Sequence, residues 1–447
     1  MDAVAGPVLI PGDDGYAEEL AGFNLTVTHY PKVIVGAAID DDVRAAIEYA
    51  RVEGLKIGVL ATGHGSMSPH GGLLISTRRM TELTVDANTQ TVRVGAGVRW
   101  GEVIETLSGA GLAPLNGSSP LVGVVGYTLG GGIGPLGRLH GYASDHVLEM
   151  QVVTPDGRMR TVSPQLHSEL HSGILGGKDS FGIVTSMKFR VFPHSRFFGG
   201  GLYFSGEHAH AVVDGWSRWL LRAPDEVSTS IAFLRLPDLP SVPEHVRGRF
   251  AVHLRAAHFG SRSAGETMAR ELRQLAPSTF DSLGERPYSE IARVHDDGTE
   301  PMPYLESNIM LRAFDAKAAM TLLRITGPAS TSAEIMVELR HLGGALNRPP
   351  AHPSLVSNRD AAFNLSVLSH PESSGSDRLF REMAPWATGT RYLNFLGGAG
   401  ASSRLASAYD AADLERLRRL KAQYDPDQLF PAHVAAAPAP RIDAARE

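Results

Sequence analysis

The amino-acid sequence predicts a two-domain α+β protein. Its 447 residues exceed what one hydrophobic core usually serves. Up to about residue 195, short strand patterns alternate with amphipathic helices and glycine-dense segments, whereas residues 196–385 carry longer strand patterns with helices between them. The second pattern is typical of an antiparallel sheet backed by helices. We therefore expect one domain at 1–195, a second at 196–385 and a distinct C-terminal segment at 386–447.

The first part begins with a β-α-β unit. Residues 31–36 form an apolar strand pattern, Asp40 to Glu53 have apolar residues at helical spacing, and residues 56–61 form a second strand pattern. A β-α-β unit joins parallel strands, so the first two strands are expected to be neighbours in one sheet. The same reasoning predicts a helix at 100–112, a tight glycine loop at 176–182, a hairpin at 147–154 and 159–162, and strands at 73–76, 83–86, 91–94 and 183–192.

The second part and the C-terminal segment show clear strand and helix patterns. Helices are expected at 208–222, 264–275, 316–325 and 411–423. Strands are expected at 201–204, 229–235, 249–257, 307–311, 333–339, 361–368 and 390–395. The alanine- and proline-rich tail after Val434 is expected to fray.

Composition excludes several classes of protein and site. The formal net charge of −6 argues against general binding to nucleic acid or to a membrane surface. The sequence contains no run of 18 apolar residues and no basic, apolar start typical of a signal peptide. It also contains no cysteine, which removes disulfides, thiolate metal sites and thiol nucleophiles. A cytoplasmic location is expected.

A tight turn follows the second strand, at Gly63-His64-Gly65-Ser66. Small residues after a buried strand can gather backbone N–H groups into a nest that suits an anion such as phosphate. Taken alone, His64 in this turn is better explained by a single backbone hydrogen bond than by attachment of a cofactor.

The 48 glycines are densest between Gly117 and Gly141. Such density, expected to form loops, usually marks close approach of the backbone to a ligand. The segment Gly130-Gly131-Gly132-Ile133-Gly134 does not lie in a compact β-α-β unit, so a Rossmann dinucleotide site is not favoured.

Seven motifs in order resemble the berberine-bridge-enzyme branch of the FAD-linked oxidases, which share the vanillyl-alcohol-oxidase (PCMH-type) fold. The resemblance covers about residues 20–195 and 390–433. The motifs are Gly63-His64, Arg93–Val98 with Trp100–Val103, Val122–Gly132, Leu139–Leu148, Gly176–Thr185, Tyr392–Asn394 and Asp425–Phe430. The resemblance implies a PCMH-type FAD-binding domain formed by 1–195 and completed by 386–447, with 196–385 shaping the substrate pocket.

The resemblance also implies the residues that hold FAD. His64 is the expected covalent attachment point, through the 8α carbon of the flavin. The other expected contacts are Ala61, Thr62, Gly63, Gly65, Ser66, Ala96, Gly97, Ser118, Ser119, Leu121, Val122, Gly123, Gly126, Tyr127, Gly130, Gly131, Gly134, His140, Gly141, Gly182, Ile183, Val184 and Asn394.

Three positions depart from the family pattern. Many members attach the flavin through a histidine and a cysteine, but the residue before Pro120 is Ser119, so His64 is the only expected anchor. Tyr127 stands where a histidine is common, and His433 where an asparagine is common. His70 and His140 are expected to be structural or near the cofactor, because no metal-ligand spacing is present.

Tyr392 and Arg340 are the expected catalytic residues. Tyr392 could act as a base if a nearby positive charge or donor lowers the pKa of its phenol from about 10. Asn394 would share its strand face and hold flavin or substrate. Glu338 and Arg340 also share a strand face; a solvated edge is the favoured interpretation of that pair, and a place in the substrate cleft is the alternative.

The implied activity is removal of a hydride from a carbon that bears a hydroxyl or an amine, with transfer of the electrons through FAD to dioxygen. The substrate would be a small molecule of secondary metabolism or a sugar, and the protein a monomer or homodimer. Two alternatives stay open from sequence: a dehydrogenase of the same fold with another electron acceptor, and a flavin-assisted cyclase without net redox chemistry.

Overall fold

The computed structural model describes residues 4–65, 71–373, 375–398 and 401–431. The interpretations of Ser66, His70, His433 and the tail after Val434 lie outside the described residues. Within them, no helix is long and apolar enough to cross a membrane.

The N-terminal sheet has four strands in the order β1-β2-β4-β3. The strands are β1 (Val8–Leu9), β2 (Val33–Gly36), β3 (Ile57–Leu60) and β4 (Leu73–Ser76), with helices α1 (Tyr16–Leu20) and α2 (Asp40–Val52) between them. The prediction that β2 and β3 are neighbours is wrong, because each pairs in parallel with β4, which lies between them. All four residues of β4 are buried, as a central strand requires.

A second sheet is antiparallel and follows the order β5-β6-β9-β7-β8. Its strands are β5 (Leu83–Asp86), β6 (Thr91–Gly95), β7 (Val147–Val153), β8 (Met159–Val162) and β9 (Ile183–Arg190), so the predicted hairpin is confirmed. Helices α3 (Trp100–Ser108), α4 (Val124–Leu129), α5 (Gly137–His140) and α6 (Ser168–Gly177) connect these strands.

Two local predictions in this region are wrong. The predicted helix at 100–112 ends at Ser108. The glycine-dense block contains the short helices α4 and α5. The tight glycine loop predicted at 176–182 begins where Leu175 and Gly176 leave helical geometry. Gly176 has φ +111°, and a Cβ there would lie 2.4 Å from the carbonyl carbon of Leu355. Close packing, as well as loop formation, therefore explains glycine at this position.

The third sheet is antiparallel and has eight strands, ordered β13-β10-β12-β11-β16-β17-β15 with β14 also paired to β10. Its strands are β10 (Arg196–Ser205), β11 (Val227–Arg235), β12 (Phe250–His258), β13 (Phe280–Asp281), β14 (Gly284–Pro287), β15 (Leu305–Leu311), β16 (Met336–His341) and β17 (Phe363–Ser369). Helices α7 (Ala209–Leu220), α8 (Arg262–Arg273), α9 (Ala316–Thr326) and α10 (Gly375–Met383) accompany it, and α11 (Ala411–Tyr424) follows. Among the described residues no sheet crosses position 195, although the domain boundaries themselves stay a prediction.

Alternation along these strands gives the third sheet two different faces. Leu202, Val252, Leu254, Val337 and Leu339 point to a core that they share with α7, α8 and α9. The other face of the sheet lines a cavity. It carries the residues that alternate with the core residues, such as those at 203, 253, 255, 338 and 340.

The strand predicted at 390–395 is wrong. Leu393–Phe395 form one turn of 3-10 helix, and Tyr392 is extended. The side chain of Asn308 takes the place of a partner strand, because its Nδ2 donates to the carbonyls of Tyr392 and Phe395 (2.9 and 3.0 Å) and its Oδ1 accepts from the Tyr392 N–H (2.7 Å).

A buried ion pair ties α11 to the end of the described chain. Lys421 Nζ donates to Asp425 Oδ2 at 2.5 Å and to the carbonyls of Ser180 and Phe430. Asp425 in turn accepts the N–H groups of Leu429 and Phe430. Both charged side chains are at least 98% buried. Each therefore depends on the opposite charge of the other for the stabilisation that water would otherwise give.

We expect Asp425→Asn to lower the free energy of unfolding by about 3–5 kcal/mol, because it leaves the ammonium of Lys421 buried without its counter-charge. Asp214→Asn is the matched control. Its partner Arg218 is 72% exposed, so the loss there should be at most about 0.5 kcal/mol. Urea unfolding of both variants measures the difference, and equal losses would contradict the structural role of the buried pair.

Candidate active site

A cavity of about 1170 Å³ lies between the two N-terminal sheets and the third sheet. It is larger than the roughly 300–1,000 Å³ typical of a pocket for one drug-sized ligand. One side is formed by residues before position 185, and the facing side by the third sheet and its loops. The cavity therefore has room for a large cofactor together with a second molecule.

His64 lies on the cavity wall directly after β3. Its ring stacks on Phe23, with centroids 4.2 Å apart and an angle of 10°. Gly63 before it has φ +73°, and a Cβ there would lie 2.4 Å from the Cα of Gly22, so only glycine allows the turn. The strand end and this close contact aim the imidazole into the cavity.

The His64 imidazole is neutral and has one nitrogen available. Burial, assisted by the charge of Arg99, lowers the pKa of His64 to about 4. Nδ1 lies 2.9 Å from Thr62 Oγ1, whereas Nε2 is buried and has no hydrogen-bond partner in the described part of the chain. With its proton on Nδ1 and donated to Thr62 Oγ1, the neutral ring carries a lone pair on Nε2, the nitrogen that has no other partner.

Most of the residues expected to bind the cofactor line this cavity. The structure brings together Ala61, Thr62, Gly63, His64, Gly65, Ala96, Ser118, Ser119, Val122, Gly123, Gly126, Tyr127, Gly182, Ile183, Val184 and Asn394. A Cβ at Gly65 or Gly126 would meet nothing within 4 Å, so both positions leave open space for a ligand. The predicted catalytic residue Arg340 also lies on the wall, on the opposite side.

Seven predicted contacts do not line the cavity. They are Gly97, Leu121, Gly130, Gly131, Gly134, His140 and Gly141. A Cβ at Gly134 would lie 1.7 Å from the Asn116 carbonyl oxygen, and one at Gly130 would lie 1.9 Å from Asn394 Oδ1. The ring of His140 stacks on Phe192 at 3.8 Å, and its Nε2 lies 2.9 Å from that of His194.

Tyr392 is also placed behind the wall. Its hydroxyl accepts a hydrogen bond from the N–H of Gly132 (2.8 Å) and one from Asn394 Nδ2 (3.2 Å). Burial raises the pKa of Tyr392, which opposes its use as a base. Asn394 also donates to the carbonyl of Tyr127, so Tyr392 helps to orient a side chain that reaches the cavity.

A buried charge cluster, Arg255–Glu338–Arg340, lies on the cavity face of the third sheet. Glu338 accepts from Arg255 at 2.9 Å and from Arg340 at 3.0 Å. The favoured interpretation of Glu338 and Arg340 as a solvated edge is wrong, because β16 lies between β11 and β17 and the Glu338 side chain is 3% exposed. Burial alone would raise the pKa of Glu338, but the two guanidinium groups outweigh it and keep that pKa well below its usual range.

Glu306 is a further titratable residue on the wall that sequence reasoning missed. It lies at the start of β15, two residues before Asn308 and on the same side of the strand. Burial raises the pKa of Glu306 to about 8, although Arg340 and Lys178 act in the opposite direction. Burial and neighbouring charges, and no hydrogen bond to a described residue, determine this pKa. The strand pattern in the sequence begins at Ser307, so the only sequence signal for Glu306 is an acidic residue in phase with Asn308.

The cavity also contains Lys178, His253 and His295, none of which was predicted as a site residue. Burial lowers the pKa of each of the three side chains. The described residues contain no group of three or more histidine or carboxylate side chains arranged to hold a metal ion.

Comparison with known proteins agrees with this geometry. Residues 31–163 match the family model described as an FAD binding domain. The chain is 26% identical to (R)-6-hydroxynicotine oxidase of Paenarthrobacter nicotinovorans, over 96% of each protein. It is 24% identical to an FAD-linked oxidoreductase of Bacillus subtilis, YgaK, over 96% of each.

Solved structures share the whole fold. A berberine-bridge-enzyme-like protein of Physcomitrella patens superposes with a TM-score of 0.83 at 19% identity, covering 97% of both chains. A glucooligosaccharide oxidase of Acremonium strictum, described as having a novel flavinylation, gives 0.82 at 19% identity and covers 97% of this chain and 96% of that chain. The fold is therefore the PCMH-type FAD-binding fold, and the chain is an FAD-linked oxidoreductase.

Proposed function

We propose that this protein is an oxidase that holds FAD covalently through His64 and removes a hydride from a carbon bearing a hydroxyl or an amine. Dioxygen is the proposed electron acceptor, and hydrogen peroxide the second product. One observation carries the proposal. His64 and the glycine segments line one side of a cavity, and the Arg255–Glu338–Arg340 cluster and Glu306 line the facing side of the same cavity.

The side of the cavity that is formed by residues before position 185 fits FAD by its size and by its backbone. Gly65 and Gly126 leave space where any side chain would project into the cavity. The N–H groups of Ser118 and Ser119 make no backbone hydrogen bond in the described part of the chain, which leaves donors for an anionic group such as the pyrophosphate.

His64 has the properties that attachment requires. Its ring is neutral at physiological pH, Nε2 is unpartnered, and the stack on Phe23 holds the ring in place. Since the sequence has no cysteine, a second covalent link through sulfur is excluded. Flavinylation of a structural neighbour supports the same assignment.

We expect His64→Ala to abolish covalent attachment while the fold persists. After acid precipitation the wild-type pellet should be yellow, and the pellet of the variant colourless. His140→Ala is the matched control, because its ring lies outside the cavity, and its pellet should stay yellow. Flavin absorbance of pellet and supernatant measures the outcome, and a yellow wild-type supernatant would contradict the histidyl link.

The facing side, which is formed by the third sheet and its loops, supplies groups that bind substrate and move a proton. When bound, FAD supplies an acceptor for the two electrons of a hydride and passes them to dioxygen. Glu306, as a carboxylate, would take the proton from the substrate hydroxyl or amine. The positive charge of Arg340 would favour the negative charge that develops on that oxygen or nitrogen.

Glu306 is favoured over Tyr392 as the base because it lines the cavity and its pKa, about 8, is close to neutral pH. We expect Glu306→Gln to lower kcat by about 10²–10⁴-fold with unchanged flavin content. Tyr392→Phe should lower kcat by less than about tenfold, because Asn394 keeps its bond to the Tyr127 carbonyl. If Tyr392 is the base, the two variants exchange their effects in steady-state kinetics.

The pH profile gives a second measure of the same assignment. Only the carboxylate form of Glu306 accepts a proton, so kcat/KM of the wild type should rise with pH and level off above about 8. Glu306→Gln should remove that rise. An unchanged profile in the variant would assign the titration to another group.

Peroxide formation tests the choice of electron acceptor. We expect the substrate to bleach the flavin without oxygen, and one equivalent of hydrogen peroxide to form per turnover in air. Bleaching without peroxide, but with reduction of an artificial dye, would indicate a dehydrogenase. Product formation without any bleaching would instead support a cyclase and contradict the oxidase.

A further inference from the structure

Lys178 has a backbone conformation that lysine rarely adopts. It directly follows α6 and has φ +51° and ψ −132°. Positive φ is uncommon for any residue other than glycine, and backbone strain of this kind clusters at active sites and switch regions. Glycine would adopt the same conformation without strain. The chain therefore carries a lysine at a position where stability alone favours glycine.

The Lys178 side chain lies on the wall of the large cavity. It passes close to Gly130, where a Cβ would lie 2.7 Å from Lys178 Cε and 1.9 Å from Asn394 Oδ1. Glycine at position 130 thus leaves room for the lysine beside Asn394. The strained backbone and this close packing together fix where the lysine side chain runs.

A short segment, residues 394–397, connects the surroundings of Lys178 with those of Glu306. Asn394 lies beside Lys178, and Gly397 pairs with Glu306 through two backbone hydrogen bonds of 3.2 Å each. A Cβ at Gly397 would lie 3.4 Å from Glu306 Oε2, so the carboxyl group packs against this segment. The basic and the acidic side chain therefore belong to the same part of the cavity wall.

The charges of Lys178 and Glu306 favour each other. Burial lowers the pKa of Lys178, and the charges of Asp179 and Glu306 oppose this effect. Burial raises the pKa of Glu306, and the charges of Arg340 and Lys178 oppose that effect. Arg340 also stabilises Glu338 at 3.0 Å, so its guanidinium serves two carboxyl groups. The Lys178 ammonium is the second positive charge that acts on Glu306.

Two acidic groups act on Glu306 in the opposite sense. Glu338 on β16 and Asp297 in the loop before β15 both raise the pKa of Glu306. Tyr304, two residues before Glu306, is uncharged at neutral pH because burial raises the pKa of its phenol. Without the ammonium of Lys178, the surroundings of Glu306 would hold two acidic groups against one guanidinium.

We infer that Lys178 is a positioning residue that supplies a counter-charge to the Glu306 carboxylate beside residues 394–397. This inference rests on the proposed function, because it assigns a second residue that keeps the proposed base able to accept a proton. It also explains the strained backbone. Glycine at position 178 would remove the strain, but it would remove the ammonium as well.

Infrared difference spectra of the flavin-loaded protein measure protonation of Glu306 without any turnover. Between about pH 6 and about pH 10 ordinary carboxyl groups are already ionised. The carbonyl band of protonated Glu306 is the band that Glu306→Gln removes, and in the wild type it should disappear with a midpoint near pH 8. Lys178→Met should move this midpoint about one unit higher, because a neutral side chain no longer favours the carboxylate.

Three further variants separate the charge of Lys178 from its packing. Lys178→Arg keeps the positive charge and should return the midpoint towards the wild-type value. Lys188→Met is the matched control, because it removes an ammonium on β9 that does not line the cavity, and it should leave the midpoint unchanged. Lys178→Gly should shift the midpoint as Lys178→Met does, and it should also raise the midpoint of urea unfolding, since glycine relieves the strain.

An unchanged infrared midpoint in Lys178→Met would overturn the inference, and so would an equal shift in Lys188→Met. A lower urea midpoint in Lys178→Gly would also overturn it, because the lysine would then serve packing. Failure of the proposed function has a different signature. In that case the infrared midpoint shifts in Lys178→Met, while kcat/KM of the wild type shows no rise towards pH 8.

Discussion

The register of the third sheet is the constraint on which the cavity depends. In this register Glu338 lies opposite Ala232 and Ser366, and Arg255 lies opposite Ser230, so small neighbours leave room for large charged groups. Strand side chains alternate between faces, and a slip of one residue would move these charges into the helix-packed core. Leu339 and Val337, which belong to that core, hold the register in place. Burial of apolar side chains on one face of the sheet thus fixes the register, and the register places the polar side chains on the other face.

Burial has opposite consequences for the titratable groups of this cavity, according to their partners. His64 has no acid close enough to outweigh desolvation, and it is neutral. Glu306 also lacks a direct partner, and its pKa rises towards 8. Glu338 is at least as well buried, but two guanidinium groups keep it ionised. One buried cavity can therefore hold a carboxylate that stays ionised and a second carboxyl group whose pKa is near 8.

Glycine serves two different purposes here. At positions 65 and 126 the missing Cβ leaves open space in the cavity. At positions 130 and 134 it allows backbone and side chains of the fold to approach each other, so that the same residue type builds the wall from behind. Sequence alone cannot separate these purposes, because both favour glycine in the same segment. Only the position of the neighbouring chain decides which one applies.

Sequence by itself determined the order of elements, the mixed α+β class and the loops around His64 and Ser119 that line the cavity. Local periodicity and glycine spacing are properties of neighbouring residues, and the chain carries them before it folds. Tertiary structure alone decided that β4 lies between β2 and β3, that Tyr392 does not line the cavity, and that Glu338 and Arg340 are buried inside a sheet. Each of these depends on a partner far along the chain. The Asn308 side chain replaces a strand beside Tyr392, and β11 and β17 enclose β16. Such contacts are chosen by the energy of the whole packed molecule, which no local pattern encodes.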